Sequence, residues 1–218
     1  MTSPTAPNRR LIAIEGLPGS GHSELAQWIG DQPGWYAACA EQPVTISGGG
    51  RASLLSPLLQ ILLDRFEWMQ GLVGTDLFRE QIVTDYIFET HLLWAKSLLS
   101  EKDWRLYQKI AAVITPPPTS PDLVVFLQAP EEELLDSLRL LDKTIDADRW
   151  RELITSFNHH FFAYENAPLL VVRTASSVWL GSDSAKNALM ERILTVRGAK
   201  TYLMGEADVW SGGRPTAD

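Results

Sequence analysis

Cysteine is almost missing from this chain. Cys39 stands alone among 218 residues, so no disulfide can close within the chain and no thiolate cluster can hold a metal. Positive charge is also short: 19 Lys and Arg face 27 Asp and Glu, for a formal net charge of −8. That balance argues against a protein whose main task is gripping nucleic-acid backbone. No apolar run approaches the ~20 residues that span a membrane. Met1–Arg10 is short and polar, with no apolar segment behind it, so it does not read as a signal peptide, and a cytoplasmic location is the expectation. Hydrophobic residues are not scarce. At 45% over this length they suffice to bury one core in a single α/β domain.

The absence with the largest consequence is one lysine. An apolar run, Leu11–Ile14, leads into Gly16-Leu17-Pro18-Gly19-Ser20-Gly21-His22-Ser23, and Leu25, Trp28 and Ile29 follow at helical spacing. Strand, glycine-rich turn and helix in that order lay out a phosphate-binding loop, GxxxxGK[ST]. Gly16, Gly19 and Gly21, with Ser20 among them, let backbone N–H groups converge on phosphate oxygens, and the helix start adds positive potential. The Ser23 hydroxyl suits Mg²⁺. The lysine that would reach the β/γ-phosphates is His22 here. An imidazole is shorter and, with an ordinary pKa of ~6.5, mostly neutral at pH 7. The loop keeps its shape and loses a permanent charge that phosphoryl transfer uses.

Short apolar strands are expected at Leu11–Glu15, Trp35–Ala40, Ile82–Thr84, Leu123–Leu127 and Leu169–Val172. Amphipathic stretches fall between them: from the loop to Ile29, then Ser53–Leu72, His91–Leu99, Lys102–Ile114, Glu131–Leu141, Ala147–Tyr164 and Ser182–Val196. This alternation predicts an α/β fold with a five-stranded parallel sheet and helices on both faces. Residues 1–9 read as a disordered arm, 10–197 as the domain and 198–218 as an irregular tail. Such sheets bind ligands at the carboxyl ends of their strands, where Glu15, Glu41, Asp85 and Gln128 fall. A buried acid at a strand end, as at Asp85, is costly without a partner and so points to function or a network.

Five separated pieces resemble the deoxynucleoside kinase family, in its short bacterial members. They are IAIEGLPGSGHSELA from Ile12 to Ala26, Pro57–Arg65, Ile82–Phe88, Pro121–Glu131 and Pro168–Val172, and the likeness spans Arg10–Val196. The resemblance implies a P-loop NTPase fold, ATP with Mg²⁺ as donor, a nucleoside 5′-hydroxyl as acceptor, and a homodimer or a subunit of a larger assembly. It implies that Ser23 holds Mg²⁺, that Asp85 holds Mg²⁺ or contacts the nucleoside, and that Glu41 is the general base for the hydroxyl. Arg65 and Tyr86 would meet the nucleoside, and Arg139 would close on the phosphates from a lid helix. The chain departs from the family at four contact points: His22 for the lysine, Leu58 for a base-reading glutamine, Ser137 and Leu141 for lid arginines, and Thr90-His91 for a Lys-Asp pair. These departures imply catalysis that is weakened or lost. The alternative is a nucleotide-binding sensor or assembly subunit that keeps the fold without the reaction.

Overall fold

A computed structural model describes residues 11–39, 54–74, 81–114, 120–141, 146–173 and 181–204. Glu41 lies outside the described residues, as does the glycine-rich stretch at 48–50. The strands are β1 (Leu11–Gly16), β2 (Trp35–Ala37), β3 (Gln81–Thr84), β4 (Leu123–Gln128), β5 (Leu169–Arg173) and β6 (Lys200–Met204). They form one sheet in the order β2-β3-β1-β4-β5-β6, with every neighbouring pair parallel. β1 and β4 lie at its centre and are covered on both faces, which requires the unbroken apolar runs that the sequence shows there.

Among the described residues the expected five strands are six. β6 pairs with β5 from Leu169↔Lys200 to Arg173↔Met204, inside the stretch read as an irregular tail. An edge strand buries less than a central one: Tyr202 is 51% exposed. β2 is likewise shorter than expected and ends at Ala37.

Two helices, α1 (His22–Gly30) and α7 (Asp183–Thr195), cover one face of the sheet. Leu25, Ile29, Leu189 and Ile193 pack there on Ile12, Ile14 and Val125. The other face carries α3 (His91–Leu98), α5 (Glu131–Leu141) and α6 (Ala147–Phe162), with Phe161 stacked on Phe126 at 4.2 Å between ring centroids. A third cluster joins α2 (Leu55–Gly74), α3 and α4 (Glu101–Ala111) through Leu58, Leu62, Ala95 and Tyr107. No helix among the described residues is long and apolar enough to cross a membrane.

Helix starts differ in a way that locates the site. Ser100, Asp146 and Ser182 cap α4, α6 and α7, each side chain accepting from backbone N–H groups of the first turn. α1 instead starts from Gly21 in the left-handed conformation, with no side-chain cap. Its first-turn N–H groups therefore open toward the carboxyl edge of the sheet, beside the end of β1.

Candidate functional site

Residues 16–23 leave the end of β1 and turn straight into α1. Ser20 N–H donates to the Leu17 carbonyl at 2.9 Å and closes the turn. Gly19 and Gly21 have φ of 91° and 83°, conformations that residues with side chains rarely adopt. A Cβ at Gly16 would run into Ser20 Oγ, and one at Gly19 would sit 2.6 Å from Ser137 Cβ on α5. The loop is a tight, glycine-dependent cradle with α5 against its tip.

His22 is 6% exposed, and its Nδ1 lies 3.2 Å from Ser20 Oγ. Burial is the main cause lowering its pKa; Asp85 and Glu24 act to raise it, and Arg65 lowers it further. The ring is therefore neutral at pH 7, where a P-loop lysine would be a cation.

One residue further on, Ser23 Oγ donates to Asp85 Oδ2 at 2.9 Å. A hydroxyl on the first turn of α1 thus meets a carboxylate just beyond β3, both hard oxygen donors of the kind Mg²⁺ takes in phosphate-binding loops. Among the described residues no three His, Cys, Asp or Glu gather at one point. A Mg²⁺ bound by Ser23 and Asp85 would draw its other ligands from phosphate oxygens and water. On its donor set, the site fits that ion.

The nucleoside-contact candidates lie next to this pair. The Arg65 guanidinium stands 4.5 Å above the Tyr86 ring, and Tyr86 OH donates to the Arg65 carbonyl at 3.4 Å. Arg65 Nε is buried and has no hydrogen-bond partner among the described residues. Its positive charge acts on Glu15, His22 and His91. Leu58 is 6% exposed and packs in the α2–α4 cluster, so it offers no amide to a base. Gln60, two residues on, is turned away and donates to Asp64 at 2.6 Å on the exposed side of α2. A cavity of about 610 Å³ opens behind Tyr86, lined by Trp68, Met69, His91 and Gln108 among others, and by no residue of the loop.

Thr90 and His91 are absorbed by the interior. His91 Nδ1 lies 2.9 Å from Tyr107 OH, and burial, helped by Arg65, lowers its pKa to about 4. Thr90 Oγ1 is 2.9 Å from Glu15 Oε1 and 2.9 Å from the Ile87 carbonyl, so its one proton goes to one of them at a time.

Glu15 is the group that sequence reasoning placed on this edge without a role. It is 3% exposed, and its Oε1 accepts from Ile87 N–H at 2.6 Å. Burial raises its pKa to about 7, against the opposing effects of the Ile87 N–H, Arg65 and Thr90. The signal for it was an acid at the end of an otherwise apolar strand, directly before a glycine-rich turn.

The described arginines of α5 and α6 are all in ion pairs. Arg139 pairs with Asp136 at 2.7 Å and Arg149 with Asp146 at 3.4 Å, while Arg151 reaches Glu131 at 3.1 Å and Asp148 at 3.0 Å. The side chain set against Gly19 is the uncharged Ser137. The structure thus brings Gly16, Gly19, Ser20, Gly21, His22, Ser23 and Asp85 together with Arg65 and Tyr86 beside them, and it leaves Arg139 in an exposed ion pair of its own helix.

The sheet order, the glycine-rich turn after β1 and the Ser–Asp pair at its mouth define an α/β fold of the P-loop kinase class. The family model described as deoxynucleoside kinase matches residues 59–196, and the chain belongs to the deoxynucleoside kinase family. Solved structures agree in fold. A deoxyadenosine kinase from M. mycoides with products dCMP and dCDP bound superimposes with a TM-score of 0.65 at 15% identity, covering 84% of this chain and 98% of that one. The same enzyme with bound dATP gives 0.61 at 15% identity, with the same coverage. Thymidylate kinase from Candida albicans gives 0.55 at 17% identity, covering 85% of this chain and 91% of that one. No curated protein matches the sequence.

Proposed function

We propose that this chain binds a magnesium nucleotide at residues 16–23 and is a weakened phosphotransferase, with ATP as donor and a nucleoside 5′-hydroxyl as acceptor. Retained binding is supported by the glycine cradle and by the 2.9 Å Ser23–Asp85 bond. Weakened transfer is supported above all by one observation: His22 is buried and neutral where the reaction needs a cation. In this reading Gly16, Gly19, Ser20 and Gly21 hold phosphate oxygens, and Ser23 and Asp85 would hold Mg²⁺, which would supply charge neutralisation to the phosphates. Arg65 and Tyr86 hold the acceptor, and Glu41 takes the proton from its hydroxyl. Arg139 must first leave Asp136 to act as a lid cation.

A second reading, a nucleotide sensor or assembly subunit without turnover, is favoured by Ser137 over the loop tip and by the ion-paired arginines of α5 and α6. Thermal melting with ATP–Mg²⁺, ADP and a panel of deoxynucleosides, run beside product formation, separates the two. A ligand at 100 times its Kd adds about 2.7 kcal/mol of stability. Stabilisation with slow product formation is expected, stabilisation with none selects the sensor, and no shift with any nucleotide overturns nucleotide binding and leaves the assembly subunit.

A further inference from the structure

Glu15 is a buried titratable group to which the proposed function gives no role. Glu15 is the fifth residue of β1, and it lies where strand pairing has stopped on one side. The β1–β3 pairing runs from Leu11↔Ile82 to Ala13↔Thr84, so the turn from Asp85 to Ile87 has no strand partner on β1. On the other side, Glu15 is still in register with Phe126 of β4 and is fixed by the centre of the sheet. Its carboxylate takes over where the ladder ends: Oε1 accepts from Ile87 N–H at 2.6 Å and lies 2.9 Å from Thr90 Oγ1.

Asp85 is two residues before Ile87 in that same turn, and Tyr86, which carries the Arg65 guanidinium on its ring, lies between them. We propose that Glu15 is a positioning residue, which fixes the Asp85 turn against the phosphate loop and so sets the affinity of the Ser23–Asp85 pair for Mg²⁺. This inference rests on the nucleotide reading above.

Two groups bear charge toward Glu15: Arg65 from α2 and Asp85 from the turn. Their effects are opposite in sign, and the effect of Arg65 is smaller than that of the Ile87 N–H bond. Hydrogen-bond acceptance, more than charge, is what the turn takes from Glu15. Glutamine, which keeps a side-chain carbonyl oxygen at the same reach, should therefore serve in its place, and alanine should not.

The test is calorimetry of ADP binding to the full chain, with Mg²⁺ titrated and again in EDTA, for the wild type, Glu15→Gln, Glu15→Ala and Thr90→Val. Glu15→Ala is expected to weaken Mg²⁺ binding in the ADP complex by about tenfold, the low end of losses seen for residues that orient metal ligands, while ADP binding in EDTA holds within about twofold. Glu15→Gln should recover most of that loss. Should Glu15→Ala fail to fold, Thr90→Val decides: Mg²⁺ binding about threefold weaker at an unchanged melting temperature supports the proposal. Unchanged Mg²⁺ affinity in either folded variant, or equal losses with and without Mg²⁺, assigns Glu15 to folding alone and overturns it. Wild-type protein that binds ADP with no dependence on Mg²⁺ overturns the nucleotide reading itself, and the positioning role falls with it.

Discussion

The two ends of the phosphate loop differ. At the Ser23 end the proposed metal ligands are in contact: Ser23 donates to Asp85, and Glu15 accepts from Ile87 in the turn that carries Asp85. At the His22 end and over the loop tip, the positions that would face a triphosphate hold a neutral imidazole and a serine hydroxyl. Both ends share one backbone and one set of glycines. Under the proposed function, metal-site geometry and transition-state charge are separable properties of this fold.

The largest effect should come from giving charge back. Combined His22→Lys and Ser137→Arg is expected to raise phosphoryl transfer on the order of a thousandfold, since single charge-stabilising groups in such sites are worth about 10²–10³ or more. Steady-state product formation checks it, and no gain would locate the defect elsewhere, in the acceptor pocket around Leu58. Next in size, Asp85→Asn should weaken Mg²⁺-dependent ADP binding about 100-fold while leaving ADP binding in EDTA nearly unchanged. Comparable loss in both conditions would merge the two ends of the loop into one unit.

A smaller effect concerns pH. Glu15 has its pKa raised from 4.5 to about 7, so its contribution to stability is fully present below pH 4.5 and is lost as pH rises through 7. His91 has its pKa lowered from 6.5 to about 4, so its contribution is complete above pH 6.5 and is lost as pH falls toward 4. The two slopes oppose each other. Glu15→Gln should therefore tilt the stability of the protein upward with rising pH by up to about 1.4 kcal/mol per unit, and His91→Gln should tilt it the other way. Urea unfolding at several pH values between 5 and 7 measures both tilts. The smallest effect is expected from Arg139→Ala, which breaks an exposed pair with Asp136 and should cost under about 1 kcal/mol with little change in nucleotide binding.

Much of this was legible in the sequence, because the central sheet imposes strong requirements. β1 and β4 are buried on both faces and read as continuous apolar runs. The Gly19 and Gly21 backbone conformations require glycine and so announce the turn. β6 was missed for the opposite reason: an edge strand needs little burial, and its short run, Thr201–Met204, is preceded by Lys200 and includes the half-exposed Tyr202. Ser23 and Asp85 were readable as candidates from motif and strand end, but their direct contact across 62 positions of sequence was not. Glu15 was visible only as an odd acid in an apolar strand, because its partners Ile87 and Thr90 are brought to it by the β1–β3 pairing. Arg139 read as a lid cation from its place on α5, while the neighbouring Asp136 that engages it lies three residues away on the same helix.

The most direct test of the account is to measure Mg²⁺-dependent ATP binding and nucleoside phosphorylation on one sample of the wild-type protein. Saturable, Mg²⁺-dependent binding with turnover far below the typical kinase range of about 1–100 per second is the predicted result. Turnover within that range, from a loop whose only imidazole is buried and neutral, would contradict it.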